Sequence, residues 1–139
     1  RTTPRPGRTL SDNMLGGRDR PAAGRLIRSW GDRTAGGGKS ESLVIATRAG
    51  AQVTSPVEGK VVYSDLFRTY GRLLIVETSD GYHVLLSGMA ESYVTEGQRV
   101  KRGEPVARMV NRVSPEPELS LEVRKNGTPL NPARWMKGG

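Results

Sequence analysis

The feature that most constrains the fold of this chain is a regular alternation of short β-prone runs with glycine, proline and asparagine turn signals. The runs predicted as strands are Ser42–Ala46, Gln52–Ser55, Gly59–Asp65, Arg72–Thr78, Tyr82–Ser87, Val106–Val110 and Leu119–Arg124. Asp80-Gly81 and Asn126-Gly127 favour tight hairpin turns. Turn signals that recur roughly every eight to twelve residues are typical of sandwiches and barrels. We therefore expect an all-β protein, a compact multi-stranded β-sandwich, in which Pro21–Asp32 contributes an edge strand.

The N-terminal segment has a different composition. Residues 1–39 carry nine of the 22 basic residues but only three of the 14 acidic residues, so most of the net charge of +8 lies there. Residues 1–20 have few apolar side chains and no hydrophobic period, which predicts a basic, flexible and disordered leader before a domain over residues 21–139. The plainest interpretation is a solvated linker, although a basic arm also suits an anionic membrane or wall polymer. Nucleic acid is disfavoured as a partner, because residues 1–29 contain no aromatic side chain for base stacking.

The residue types present exclude several classes of chemistry. The chain has no cysteine and one histidine, His83. Disulfide scaffolds, thiolate metal sites and cysteine nucleophiles are therefore excluded, and a catalytic zinc site with two or three histidine ligands is not expected. No apolar run approaches the roughly 20 residues that span a membrane. His83 lies one position out of phase with Tyr82, Val84 and Leu86, so we expect a structural or surface histidine.

Two glycine-containing patterns narrow the choice of β architecture. SPVEGKV at 55–61 and EGQRVKRGEPV at 96–106 both have the form of turns at the corners of a compact β-sandwich. Biotinyl and lipoyl carrier domains use such patterns, but they need a hairpin lysine after the second one. This chain has no lysine between Gly103 and Lys125, which disfavours a carrier.

These two patterns, together with their flanks, resemble the LytM-type (lysostaphin-like) peptidase domain. The similar segments are ATRAGAQVTSPVEGKVVYSD at 46–65, TYGRLLIVETSDGYHVLLSGM at 69–89, VTEGQRVKRGEPVARM at 94–109 and LSLEVRKNGTPLNPARWM at 119–136. Their order and spacing resemble, more narrowly, the degenerate EnvC-like murein hydrolase activators, especially those of alphaproteobacteria. The resemblance implies a LytM-type β-sandwich over roughly residues 21–136.

The resemblance also implies that the zinc site of an active LytM-type peptidase has been lost. Its metal ligands correspond to Ser40, Val44 and Ser120, and its further histidines correspond to Glu118 and Gly88. Valine cannot bind a metal, and an isolated serine hydroxyl is a poor zinc ligand at neutral pH. We therefore expect no catalytic residue, no metal, no cofactor and no peptidase activity.

In the family that this chain resembles, the emptied groove binds a protein. The resemblance implies a bacterial periplasmic activator that binds the regulatory helix of an N-acetylmuramoyl-L-alanine amidase and so promotes peptidoglycan hydrolysis during cell division. Relatives connect to a membrane complex of the division machinery through a coiled coil, but residues 1–20 show no heptads. A peptidoglycan-binding module that targets another protein to the wall is the alternative.

The residues expected to form the docking groove follow from the same resemblance. Val44 turns a metal pocket apolar, Tyr70 lies at the groove wall, and Arg124 shares a strand face with Ser120 by the two-residue period. The weaker candidates for the groove are Ser40, Arg72, Leu86, Glu118 and Ser120.

Overall fold

The computed structural model describes residues 20–132, which form eleven strands and one short 3-10 turn. The first six strands are β1 (Arg25–Arg28), β2 (Leu43–Ala46), β3 (Gln52–Thr54), β4 (Gly59–Phe67), β5 (Gly71–Glu77) and β6 (Tyr82–Ser87). The others are β7 (Met89–Ser92), β8 (Arg99–Val100), β9 (Pro105–Met109), β10 (Glu118–Lys125) and β11 (Thr128–Leu130). The 3-10 turn Arg68–Tyr70 joins β4 to β5. The expectation of an all-β fold is confirmed.

Most strands belong to one antiparallel sheet of eight. Its order is β1-β2-β10-β6-β5-β4-β8, with β11 paired to β10. The β5–β6 hairpin forms at the turn expected from the sequence, where Gly81 takes a φ of 90° and Thr78 and Tyr82 close the loop through a backbone hydrogen bond of 2.9 Å. A glycine is suited to this position because side-chain-bearing residues rarely adopt a positive φ.

The core lies between this sheet and a second sheet of three strands, in the order β3-β9-β7. The alternating sequence of β10 determines which of its side chains enter the core. Leu119, Leu121 and Val123 are completely buried. Glu118 and Ser120 lie on the other face of the strand. The same buried cluster contains residues of both sheets, including leucines of β5, β6 and β10 and methionines of β7 and β9. Burying each such side chain contributes about 1.5–3 kcal/mol to stability.

The strands expected from the sequence are present, with three additions, of which β8 (Arg99–Val100) is only two residues long. Pro21–Asp32 contains β1, which lies at the edge of the large sheet as expected, and β4 continues beyond Asp65 to Phe67. The short strands β7 and β11 were not predicted, because Met89–Ser92 and Thr128–Leu130 lack the run of β-branched residues on which the prediction depended.

The predicted leader, residues 1–20, lies outside the described residues except for its last member. The carbonyl oxygens of Arg20 and Pro21 accept hydrogen bonds from Thr54, from its hydroxyl (3.2 Å) and its backbone N–H (2.7 Å), respectively. The chain is thus tied to β3 where the described part begins. In residues 20–132 no helix has the length and apolar character that crossing a bilayer requires.

Candidate partner-binding face

The large sheet has a second face, which we call the outer face, on the side away from the core. Register defines it from the alternate residues of β10: Ser120 is opposite Val44 of β2 and Ser87 of β6, and Arg124 is opposite His83 of β6. Residues directly opposite in an antiparallel pair project to the same side. The outer face therefore brings together positions of β2, β6 and β10 that are far apart in sequence.

Part of the outer face is apolar and shielded from solvent. Val44, Leu73 and Leu85 are only 5%, 3% and 8% exposed, although none belongs to the core cluster between the sheets. Leu73 is opposite Ser87, which is itself 7% exposed. The face thus has an apolar floor with serine hydroxyls beside it.

A hydrogen-bonded cluster of three side chains lies on this face. The phenol of Tyr70 donates to Oε1 of Glu122 at 3.5 Å, and Nη2 of Arg124 donates to the same oxygen at 3.0 Å. The side chain of Glu122 is 13% exposed and that of Arg124 is 34% exposed. We call these three residues the Glu122 cluster.

The turn that carries Tyr70 is supported by aromatic contacts. The ring of Phe67 lies 6.1 Å from that of Tyr70 and 5.6 Å, edge-on, from that of Tyr63. The guanidinium carbon of Arg68 is 5.2 Å from the centre of the Phe67 ring. Arg68 itself adopts a φ of 47°, in the left-handed region. These contacts hold a sharp turn that brings Tyr70 to β10, which is why residues 52 positions apart meet.

Burial and charge shift the pKa values of the Glu122 cluster. The pKa of Tyr70 is raised, first because burial disfavours the phenolate and then because Glu122 is negatively charged, while Arg124 acts in the opposite direction. Burial by itself lowers the pKa of Arg124, but the hydrogen bond to Glu122 and its negative charge outweigh it, so the pKa is raised on balance. The phenol and the guanidinium therefore remain hydrogen-bond donors over the physiological range.

The positions expected from the resemblance to hold the zinc of a LytM-type peptidase do not fit a metal ion. The hydroxyl of Ser40 is occupied locally, since it donates to the carbonyl oxygen of Ser42 at 3.1 Å and accepts from the backbone N–H of Ser42 at 3.2 Å. Val44 and Ser120 face each other across β2 and β10 and supply no carboxylate or imidazole. In the described part of the chain, no three His, Cys, Asp or Glu side chains are grouped as a metal site requires.

Gly88 adds a steric constraint at the position that corresponds to a histidine. Its φ is 105°, and a Cβ atom at this residue would overlap the carbonyl oxygen of Glu118. Because the Cβ atom and the carbonyl oxygen are both attached directly to the backbone, no side-chain rotation relieves the overlap. With this backbone, a histidine cannot occupy position 88.

Two of the expected groove residues lie elsewhere. Leu86 is completely buried in the core cluster, so its expected place in the groove is wrong. Arg72 pairs with Leu66 and precedes Leu73, an outer-face residue, so by alternation its side chain begins on the opposite side of the sheet. Arg72 lies in β5 and Leu86 in β6, and both strands carry apolar residues on each face, so the sequence pattern did not show which residues face outward.

His83, expected to be a structural or surface histidine, lies opposite Arg124 on the outer face, whereas its neighbour Val84 is buried in the core. Nε2 of His83 lies 3.4 Å from Oε2 of Glu77, and both side chains are partly exposed. His83 is thus a surface residue at one end of the outer face.

Among the other candidates, Val44, Ser120, Tyr70 and Arg124 do lie on the outer face or contact it, and Glu118 is exposed at its end. The expected groove residues did not include Glu122, which lies at the centre of the cluster. The signal was available in the sequence, because Glu122 lies two residues from both Ser120 and Arg124 and so shares their strand face.

Comparison with known proteins places the chain in a family. The sequence profile described as "Peptidase family M23" matches residues 38–132, which include the whole outer face. This chain belongs to Peptidase family M23. It is 26% identical over 117 residues to the murein hydrolase activator EnvC of Escherichia coli, covering 84% of this chain and 28% of EnvC. It is 30% identical to the murein hydrolase activator NlpD of Escherichia coli, covering 84% of this chain and 30% of NlpD.

A third relative is the lipoprotein NlpD/LppB homolog of Pseudomonas aeruginosa, which is 31% identical over 123 residues. That match covers 88% of this chain and 40% of the relative, so the chain spans less than half the length of these curated proteins. Two of these three relatives, EnvC and NlpD, are named as murein hydrolase activators.

Solved structures agree with the family assignment at the level of the fold. The catalytic domain of lysostaphin from Staphylococcus simulans superimposes with a TM-score of 0.74 at 19% identity, covering 91% of this chain and 98% of that domain. A zinc-containing peptidase from Vibrio cholerae gives a TM-score of 0.69 at 23% identity, covering 86% of this chain and 38% of that one. The LytM-type β-sandwich expected from the sequence is confirmed.

Proposed function

We propose that this M23 domain is a non-catalytic activator of a peptidoglycan hydrolase, an N-acetylmuramoyl-L-alanine amidase, in the periplasm of the bacterial cell envelope. Two relatives that match most of this chain are named murein hydrolase activators, and a third is named a lipoprotein. The chain matches 28%, 30% and 40% of the length of these three relatives. The proposal therefore concerns what the domain itself contributes.

The observation that carries the proposal is the composition of the outer face. At the positions that the resemblance assigns to the zinc site, this domain has Val44 opposite Ser120, and the backbone at Gly88 leaves no room for a side chain. Without a metal-binding set there is no group to activate water or polarise a scissile carbonyl. A face that keeps its shape but lacks these groups is suited to binding rather than to hydrolysis.

The outer face has the chemistry that an amphipathic helix requires. Its apolar floor, formed by Val44 and Leu85 among others, offers a surface for the apolar side of a helix. Tyr70 and Arg124 stand beside that floor, and tyrosine and arginine are frequent among residues that dominate binding energy. The domain binds the regulatory helix of the amidase and thereby shifts the amidase towards its open state, by differential affinity alone.

The proposal is tested by release of dye from labelled peptidoglycan by a purified amidase, with and without this domain. We expect release only when both proteins are present. Arg124→Ala and Tyr70→Ala each lower the stimulation about tenfold or more, as loss of a side chain contributing over about 1.4 kcal/mol would do. Thermal melting of each variant establishes that it is folded at the assay temperature.

Matched controls come from the small sheet. Arg108 forms an ion pair with Glu91 at 2.7 Å, and Tyr93 is 48% exposed. Arg108→Ala and Tyr93→Ala therefore remove the same residue types away from the outer face, and we expect both variants to stimulate like the parent. Full stimulation by Arg124→Ala and Tyr70→Ala as well would contradict docking on the outer face.

Binding to isolated sacculi separates this proposal from the peptidoglycan-binding alternative, which the net charge of +8 favours. We expect the domain to be retained by immobilised amidase more strongly than by sacculi. Retention by sacculi without stimulation of the amidase would support the targeting module instead.

A further inference from the structure

Glu122 is the least exposed charged side chain of the cluster and the only one that contacts both of the others. Its Oε1 atom accepts from Nη2 of Arg124 and from the phenol of Tyr70, and its side chain is 13% exposed. A carboxylate this enclosed has little surface to offer to a partner. Its contacts are instead directed at the two residues that the proposed function assigns to docking.

The contacts of Arg124 leave one direction open to a partner. Nη2 is bonded to Glu122, and Nε is buried with no hydrogen-bond acceptor in the described structure. Among the described residues Nη1 has no acceptor and is not enclosed, so it is the part of the guanidinium that a partner can reach. Because the guanidinium is planar and rigid, fixing Nη2 also fixes the direction in which Nη1 points.

Tyr70 restrains the same carboxylate from another part of the fold. It lies in the turn after β4, whereas Glu122 and Arg124 lie in β10. The raised pKa of Tyr70 keeps its phenol protonated, so it continues to donate to Glu122. One carboxylate thus couples the turn at the edge of the face to the strand at its floor.

We propose that Glu122 is a positioning residue, which holds the guanidinium of Arg124 and the phenol of Tyr70 in the arrangement that receives the partner helix. The inference rests on the proposed function, since it assumes that Arg124 takes part in docking. The partner places an acceptor, a carboxylate or a free carbonyl at the end of its helix, against Nη1 of Arg124. Glu122 makes no contact with the partner and acts only through its two neighbours.

A double-mutant cycle on amidase binding tests this directly. The dissociation constant is measured for the parent, Glu122→Ala, Arg124→Ala and the double variant, using the domain and the amidase that it stimulates. We expect each single change to weaken binding about tenfold, and the double variant to bind no more than about threefold worse than Arg124→Ala, the difference being the hold of Glu122 on Tyr70. Coupling of this size indicates that Glu122 acts mainly through Arg124.

Conservative variants separate positioning from a purely structural role. Glu122→Gln keeps an oxygen acceptor of the same shape, so we expect it to bind between the parent and Glu122→Ala. It also keeps the proposal testable should Glu122→Ala fail to fold. Glu91→Ala, which breaks the Arg108 ion pair of the small sheet, is the matched control and is expected to bind like the parent.

Two results would overturn the positioning role while leaving the docking face intact. The first is parent-like binding by Glu122→Ala when Arg124→Ala binds weakly. The second is multiplication of the two effects, to about a hundredfold loss in the double variant, which would mean independent contributions. Parent-like binding by Arg124→Ala would instead overturn the docking face itself, and with it this inference.

Discussion

Replacing Gly88 by alanine tests the steric constraint at the position that the resemblance assigns to a histidine. Gly88 follows β6 with a φ of 105°, and an added Cβ would overlap the carbonyl oxygen of Glu118. Glu118 begins β10, which pairs with β2 and β6 in the middle of the large sheet. Relief of the overlap therefore requires displacement of a central strand.

The expected cost has two parts. A residue with a side chain in such a sparsely populated region of backbone conformation costs about 1–3 kcal/mol. Forcing an extra methyl group against packed backbone adds typically about 1–3 kcal/mol. Their sum, about 2–6 kcal/mol, is a large share of the roughly 5–15 kcal/mol that stabilises a native domain. Gly88→Ala should therefore lower the melting temperature by about 10 °C or more.

Two other glycines separate the two contributions. Gly97 has a φ of 97° but nothing within 4 Å of its Cβ position, so Gly97→Ala introduces strain alone. Gly59 has no positive φ, but its Cβ would overlap the carbonyl oxygen of Glu77, so Gly59→Ala introduces overlap alone. Urea unfolding followed by circular dichroism gives the three free energies of unfolding. We expect Gly88→Ala to lose more than either control.

A cost for Gly88→Ala no greater than that for Gly97→Ala would refute the reasoning. It would mean that the chain around Gly88 and Glu118 relaxes to admit a side chain. A histidine could then be introduced at position 88 at small cost, and the steric argument against a peptidase site would fail. The side chains of Ser40, Val44 and Ser120, together with the relatives named as activators, would remain as the support for a non-catalytic domain.

Three further predictions concern metal and pH. Excess EDTA or added Zn²⁺ leaves the melting temperature unchanged, because no metal contributes to folding; a drop with EDTA would contradict this. The hydrogen bond from Arg25 lowers the pKa of Glu116. The pair therefore stabilises the fold above the unfolded-state pKa of Glu116, and this stabilisation is lost as pH falls through the folded-state pKa. In an NMR titration, Arg25→Ala should raise the titration midpoint of Glu116. The pKa of Tyr70 is raised, so its protonated form favours the folded state below the unfolded-state pKa of about 10, and this stability is lost as pH rises through the folded-state pKa. Tyr70→Phe should remove one late step from the ultraviolet titration of tyrosinate.

The sequence predicted the fold class and most strands because both depend on local signals. The Asp80-Gly81 turn and the β-branched run of Arg72–Thr78 each favour one conformation without help from the rest of the chain. β7 and β11 were missed because they are short strands stabilised by their neighbours, Met89–Ser92 by β9 and Thr128–Leu130 by β10. Pairing with a neighbour is a tertiary effect that a local pattern does not contain.

The site was predictable in part, for a related reason. On β10, polar and apolar residues alternate, so the grouping of Ser120 with Arg124 followed from the strand period. On β6, Val84, Leu85 and Leu86 are all apolar and all buried, so the sequence did not distinguish its two faces. Only register with β10 resolves them, and it places Leu86 in the core. The contact between Tyr70 and Glu122 depends on a turn with a positive φ, which the sequence did not indicate.

The composition of the outer face gives a physical reason why losing a metal site favours protein binding. A histidine or carboxylate at position 44 or 120 would have to shed water when a helix covered it, and that desolvation opposes binding. Val44 removes that cost, and Nη2 of Arg124 already pairs with Glu122 in the free domain. A partner therefore meets a floor that is apolar and a charge pair that is already partly desolvated and held in place. On the proposed function, this preorganisation lowers the cost of association, so the binding energy of the few exposed contacts remains available to open the amidase.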